Sequence, residues 1–287
     1  MKSINSISGG KTSAYMASIY PADYNTFCLV RVEDINCKFP DEKVRQMISD
    51  KIGQEFIGTV EDDMIIYTIL DLEQYLGKEI TWLTGETYEN VIATKGGWLP
   101  NKLHRYCTTW LKMEPQFQFW YKMFYPNYVE MRIGFRGNET NRADNVLSKI
   151  NKDGLLTYKA TVSKHTNGRN KWQDFAWQIP KFPLIENFTL KDTITSYWND
   201  KPVRFALYNN CVGCFHRNPL FLNKMYQLHP NKIDWFAKQE NKITNRRKEY
   251  HNRWKDDTTY EKIKNFIPRL ELNFDDFGSC DTQGCTD

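Results

Sequence analysis

The chain has 287 residues, 40% of them hydrophobic and 26% charged, with a formal net charge of +4. This length buries a real core and suits one large domain or one domain with an appendage; the composition is that of a soluble globular protein. The small net charge does not by itself demand nucleic acid, no run of about 18 apolar residues exists to span a bilayer, and the N-terminus lacks the layout of a secretion signal. The expected location is cytoplasmic, without membrane contact. In that compartment seven cysteines point to metal or redox chemistry rather than disulfides.

Residues 3–8 read as a short strand leading into Gly9 and Gly10. Residues 13–20 read as a helix that stops near Pro21. The continuous apolar run 26–32 suits a buried parallel strand, 41–50 a helix, and the run Met64–Thr68 a third strand. A helix over 115–124 precedes a strand over 128–134. The polar stretch 148–176 reads as a hairpin or mobile excursion, and a helix begins near Thr189. This rhythm predicts an α/β fold, a parallel twisted sheet flanked by helices and Rossmann-like, over 1–200. Residues 201–287 are expected to form a helical, cysteine-bearing C-terminal region with a polar tail.

Ser8-Gly9-Gly10-Lys11-Thr12-Ser13 lies between the first strand and the first helix. Glycines there let backbone N–H groups turn toward an anion, and the helix N-terminus adds partial positive charge. Ser8, Thr12 and Ser13 add hydroxyls and Lys11 adds a full charge. The spacing is not that of Walker A. It resembles the Ser-Gly-Gly-x-Asp-Ser motif of the PP-loop, or N-type ATP pyrophosphatase, superfamily, with Thr12 standing where that motif has Asp. The substitution removes a carboxylate from the place where family members arrange Mg2+.

Three further segments resemble the phosphoadenosine phosphosulfate (PAPS) reductase-like branch. Val32-Glu33-Asp34-Ile35-Asn36-Cys37-Lys38-Phe39-Pro40 resembles its acidic turn beside the adenosine. Arg105-Tyr106-Cys107-Thr108-Thr109-Trp110-Leu111-Lys112-Met113-Glu114-Pro115 resembles its Arg-x-Cys-Thr-x-x-Leu-Lys-x-x-Pro segment. Gly134-Phe135-Arg136-Gly137-Asn138-Glu139-Thr140-Asn141-Arg142 resembles its Gly-x-Arg-x-x-Glu-x-x-Arg loop. The resemblance covers roughly residues 3–220 and implies a PP-loop type fold. It implies nucleotide contacts at Ser8, Gly9, Gly10, Lys11, Thr12, Ser13, Val32, Asp34, Gly134, Arg136, Glu139 and Arg142. Independently, guanidinium groups at the end of a strand suit bidentate phosphate or sulfate binding, and Glu139 could hold one of them.

Cys211-Val212-Gly213-Cys214 is a C-x2-C knuckle, and Cys280 and Cys285 form a wider pair at the tail. A structural zinc would take those four. The resemblance implies instead a [4Fe-4S] cluster on Cys107, Cys211 and Cys214, with Cys280 or Cys285 completing the set or one iron left open. Cys28 reads as a core cysteine. The basic stretch Lys238–Lys255 reads as a solvated helix face, with a phosphate-contacting patch as the alternative.

The expected reaction is ATP-dependent adenylation followed by sulfur transfer, with Lys11, Arg136, Cys107 and Cys285 in the chemistry. A thiol-dependent PAPS or adenylylsulfate reductase releasing sulfite is the alternative, and a nucleotide-binding regulatory module without turnover is a third reading. The first leaves room for Mg2+, a sulfur-donor protein and a nucleic-acid acceptor.

Overall fold

The computed structural model describes residues 1–208, 211–242 and 253–267. The chain opens with β1 (Lys2–Ile7), α1 (Lys11–Ile19) and β2 (Tyr24–Cys28), then α2 (Glu42–Ile52), α3 (Met64–Leu76), β3 (Ile80–Leu83) and α4 (Tyr88–Thr94). A short turn α5 (Tyr106–Thr108) runs through a π-helical turn, Thr109–Met113, into α6 (Glu114–Met123). Next come β4 (Val129–Ile133), α7 (Thr140–Leu147), β5 (Leu156–Lys164), β6 (Asn170–Lys181), α8 (Pro183–Glu186) and α9 (Lys191–Trp198). The described part ends with α10 (Pro219–Leu228), α11 (Pro230–Asn241) and α12 (Tyr260–Lys264).

The six strands form one sheet in the order β3-β2-β1-β4-β6-β5. β1 pairs in parallel with β2 and β4, and β4 in parallel with β6; β5 is an antiparallel edge. The fold is α/β with a mostly parallel sheet flanked by helices, which is consistent with a Rossmann-like architecture. No helix among the described residues is long and apolar enough to cross a membrane.

The chain divides into two compact units that are interleaved in sequence. The first comprises 1–27, 72–81 and 116–203; the second comprises 28–71, 82–115 and 204–287. The boundary expected at 200 therefore lies near one crossing point, and the second unit also draws two segments from the first half of the chain.

The first unit is the sheet unit. Asn5 is fully buried in the middle of β1, where its Nδ2 donates to Asn25 Oδ1 at 3.1 Å and to the Tyr20 carbonyl at 2.9 Å. These bonds satisfy both donors of the Asn5 amide, while its Oδ1 is buried without a partner. Phe117 on α6 packs against Tyr158, Phe175 and Trp177 of the β5–β6 hairpin at centroid distances of 4.8, 5.4 and 5.9 Å.

The second unit is built on Trp235, Phe236, Trp254 and Tyr260, all 1% exposed or less, with Tyr88, Val212 and Leu222 beside them. Its α2 has both terminal signals: Asp41 accepts from the Lys43 and Val44 amides, and Gly53 ends the helix at φ 68°.

Two elements differ from the sequence reading. The run Met64–Thr68, expected as a strand, begins α3. Ile65, Ile66, Ile69 and Leu72 are each 1% exposed or less, which is helical spacing, and Asp62 Oδ1 accepts from the Met64 amide to start the turn. The strand expected over 26–32 ends at Cys28, because Val32 leaves the sheet and donates its amide to the Gly58 carbonyl at 2.9 Å.

Candidate functional site

In the first unit, β1 ends at Ile7 and α1 begins at Lys11, so Ser8, Gly9 and Gly10 form the whole connection. Gly9 has φ 79°, a left-handed conformation that favours glycine. Gly10 caps α1 in extended backbone, and no side chain accepts from the cap. Ser13 Oγ accepts from the Ser8 amide at 3.1 Å, lies 3.1 Å from Ser8 Oγ, and reaches the Gly10 carbonyl at 3.2 Å. Trp198 Nε1 donates to the Lys11 carbonyl at 3.0 Å. The first turn of α1 carries no acidic residue. The outcome is a braced loop at a helix N-terminus whose amides and dipole favour an anion. Gly134, at the end of β4, lies against this loop: a Cβ there would come within 2.9 Å of Ser13 Cα.

The loop after β4 in the same unit is held by Glu139. Its Oε2 accepts from the Arg136 amide at 2.8 Å and from Arg136 Nε at 3.1 Å, while Oε1 takes Arg142 Nη1 at 2.5 Å. Burial works to raise the Glu139 carboxyl, but the Arg136 and Arg142 bonds outweigh it and hold it below its ordinary value. Arg142 also lies 4.2 Å over the Phe135 ring, which stacks on Phe182. Gly137 donates its amide to the Thr189 carbonyl at 2.8 Å, and its missing Cβ leaves room for Phe188. Both guanidinium groups are held by the one Glu139 carboxylate. The guanidinium planes are fixed in advance, which lowers the entropy cost of holding a phosphate or sulfate.

In the second unit, Cys107, Cys211 and Cys214 line one cavity of about 60 Å³, together with Arg105, Lys112 and His216. The volume holds a few waters. The knuckle's geometry is fixed from four directions. Val212 donates its amide to the Val60 carbonyl at 2.8 Å, and the Cys214 amide closes a turn on the Cys211 carbonyl at 3.1 Å. Tyr260 Oη donates to the Gly213 carbonyl at 2.7 Å, and Lys255 Nζ donates to the Phe215 and Arg217 carbonyls at 3.1 Å each. Gly213 faces the Phe236 ring, where no Cβ would fit.

Arg105 and Lys112 bring positive charge to a cavity whose other walls are mostly apolar, and Lys112 is paired with the buried Glu61 carboxylate at 3.5 Å. Burial, then the charges of Arg105, Lys102 and Lys255, push His216 down to about 4. Arg105 Nε and His216 Nε2 are buried without a hydrogen-bond partner. Burial raises the Cys107 thiol despite a hydrogen bond with Tyr88 and the nearby charges of Arg105 and Lys112. Cys107 is therefore a protonated thiol and a weak free nucleophile until something displaces its proton.

Among the described residues, no group of three or more Cys, His, Asp or Glu side chains is already gathered to hold one metal ion. A single zinc needs sulfurs at about 2.3 Å from one point. A [4Fe-4S] cluster spreads its cysteine anchors over a wider span, so the three thiols are compatible with that group without being gathered on one point. Cys280 and Cys285, expected as metal ligand and nucleophile, lie outside the described residues.

The remaining expected site residues fall as follows. Val32 is 1% exposed in the second unit's core, so its side chain is spent on packing. Asp34 Oδ2 accepts from Lys238 Nζ at 2.7 Å and Oδ1 from the Asn36 amide, so this carboxylate already holds an ion pair with an exposed lysine. The basic stretch 238–255 is not one solvated face. Lys238 makes that pair and Lys255 is 7% exposed beneath the knuckle, while residues 243–252 lie outside the described residues. Tyr88 and Lys255 were not singled out by sequence reasoning; a lone tyrosine and one lysine in a basic run give no signal of their own.

No family model, curated protein or solved structure matches this chain.

The second unit also has opposed titrations. Burial raises the Glu240 carboxyl to about 7, against the amide bonds that it accepts from Tyr260 and Trp254. Its folded value lies above the ordinary 4.5, so its contribution to stability is present at low pH and is lost as pH rises through about 7. His216 has a folded value below the ordinary 6.5, so its contribution is lost as pH falls through about 4. The two trends offset each other between about pH 4.5 and 6.5. His216→Phe removes one of them, and its thermal midpoint is expected to fall steadily from about pH 5 to about pH 7 relative to the parent. Parallel profiles for parent and variant would contradict this account.

Proposed function

We propose that this chain is a PP-loop enzyme of the PAPS reductase-like kind, which binds ATP and uses adenylation to drive sulfur transfer. The observation that carries the reading is the meeting of Cys107 with Cys211 and Cys214, about a hundred residues apart in sequence, around one cavity that Arg105 also lines. The loop Ser8–Ser13 supports the nucleotide half of the reading: it offers first-turn amides, Ser8 and Lys11 to a departing pyrophosphate.

In the proposed reaction an acceptor oxygen attacks the α-phosphorus of ATP and the α–β bridging oxygen leaves with pyrophosphate. Sulfur then displaces AMP from the adenylated acceptor. Lys11 and the loop amides stabilise charge on the leaving group, and Arg136 and Arg142, set by Glu139, hold phosphate oxygens. Cys107, Cys211 and Cys214 are the residues that would hold a [4Fe-4S] cluster, which would supply an iron position not taken by cysteine. Arg105 would offset part of its negative charge, while Lys112 is shared with Glu61 at 3.5 Å.

The α1 first turn has no acidic residue, and Thr12 stands where the superfamily motif has Asp. That observation favours a second reading, reduction of adenylylsulfate or PAPS to sulfite, because a bound sulfate needs no Mg2+ bridge. The raised Cys107 thiol weighs against Cys107 as its free nucleophile.

Anaerobically purified protein is expected to be brown, with broad absorption near about 400 nm, and to lose that colour in Cys211→Ser and Cys107→Ser. Stoichiometric zinc in a colourless protein overturns the cluster. Pyrophosphate release from ATP supports sulfur transfer; sulfite release from adenylylsulfate with a reductant replaces it with the second reading.

A further inference from the structure

The β5–β6 hairpin is a charged arm of the first unit. Gln178–Lys181 pairs with β4, whereas Asn170–Ala176 ladders with β5. At ~3.3 Å per residue, the ladder from Ala176 to Asn170 carries the tip roughly 20 Å beyond the β4 pairing. The base is anchored, because Tyr158 and Phe175 pack on Phe117. The tip is closed tightly: the His165 amide donates to the Arg169 carbonyl at 2.8 Å, the Gly168 amide to the His165 carbonyl at 2.9 Å, and Gly168 has φ 79°.

The arm's charge is mostly positive. From Gly154 to Ala176 it has Lys159, Lys164, Arg169 and Lys171 against one acid, Asp174, which faces Lys159 in the ladder and leaves the outer part of the arm, Ala160 to Gln173, without Asp or Glu. Those four are all exposed. The whole chain carries 39 basic and 35 acidic residues, a net of +4, and the arm, with four basic residues and one acidic, accounts for three of those four charges. Trp172 is 51% exposed on the same arm, opposite Thr161 in the ladder. A large ring left in water at this position has no folding reason, since the hairpin's packing is done by Tyr158, Phe175 and Trp177.

We propose that this hairpin arm binds single-stranded nucleic acid, with Lys164, Arg169 and Lys171 on phosphates and Trp172 stacked on an unpaired base. The combination of an open aromatic face with cations on both strands is the chemistry of backbone-plus-stacking recognition. An acidic protein surface would use the charges but would leave the indole without a planar partner. The inference stands on the arm alone and does not depend on the nucleotide reading.

The test is fluorescence anisotropy of the full chain with labelled oligothymidylate and oligouridylate of about 20 nucleotides, titrated over salt. The parent is expected to bind, with the logarithm of affinity falling linearly against the logarithm of salt concentration. Lys164→Ala/Arg169→Ala/Lys171→Ala should reduce that slope by about 2, at roughly 0.7 per phosphate contact. Trp172→Ala should weaken binding about ten-fold with the slope unchanged, and Trp172→Phe should restore most of it. Affinity for an ATP analogue should stay at the parent value in every arm variant, so a failure of the arm is distinguishable from a failure of the nucleotide loop. An unchanged slope in the triple variant, absence of binding by the parent, or tighter binding of a duplex without dependence on Trp172 would each overturn the proposal.

Discussion

Gly134→Ala is expected to weaken ATP binding about ten-fold, or ~1.4 kcal/mol, while leaving the sheet folded. The new Cβ would lie 2.9 Å from Ser13 Cα and 3.2 Å from Ser13 N. Both are backbone atoms, so no rotamer change relieves the contact. Either the end of β4 or the first turn of α1 must retreat. Because Ser13 Oγ also ties Ser8 and Gly10 together, that retreat passes into the whole loop. Hydrogen bonds to an anion weaken steeply with small changes of distance and angle. The accompanying loss of stability should be about 1–3 kcal/mol, the usual cost of an overpacked methyl. Calorimetry with a non-hydrolysable ATP analogue reads the affinity directly. A well-folded variant that binds like the parent would remove the loop from the nucleotide site.

Gly213→Ala is expected to cost more, about 3 kcal/mol, and to strip the cysteine cavity of its shape. Here the Cβ would sit 2.3 Å from one Phe236 ring carbon and 2.6 Å from two others. A ring can usually swing aside, but this one is walled in. It stacks on Tyr260 at 5.5 Å and meets Trp254 at 4.9 Å and Trp235 at 5.0 Å. The thermal midpoint should fall by roughly 6–12 °C, at the 2–4 °C per kcal/mol typical of chains of this size. Phe236→Leu in the same chain should recover part of the loss by making room for the methyl. A single variant that melts within about 2 °C of the parent would show that the knuckle tolerates a side chain there, and would weaken the claim that its geometry is held rigidly.

The turn between β1 and α1 was legible because glycine, a strand and a helix start coincide there, and each has a local physical cause. The helix at Asp41 was legible for the same reason, since cap and stop are both written in side chains. The Asp34–Lys238 ion pair was not legible because an acid carries no mark of its partner; Lys238 lies 204 residues away. Met64–Thr68 was misread because a short apolar run fits a strand or a buried helix equally, and only Ile69 and Leu72 beyond it settle the period. β3 was missed because four residues give too little alternation to see. Tyr88, Arg105 and Lys255 shape the cysteine cavity through tertiary placement, and no spacing rule in the chain announces that.

The interleaving of the two units has a consequence for how this protein can be cut, and for how it could have been assembled in evolution. A reader of the chain would split it near residue 200 and expect two exchangeable cassettes. Removing everything after 203 would take Trp235, Phe236, Trp254 and Tyr260 away from Tyr88, Val91 and Leu111. The shortened chain would keep two orphaned segments with their apolar faces in water, and would aggregate rather than yield an isolated sheet unit. Recombination at that point would break the same contacts, so an exchange of the C-terminal end would succeed only if residues 28–71 and 82–115 were exchanged with it.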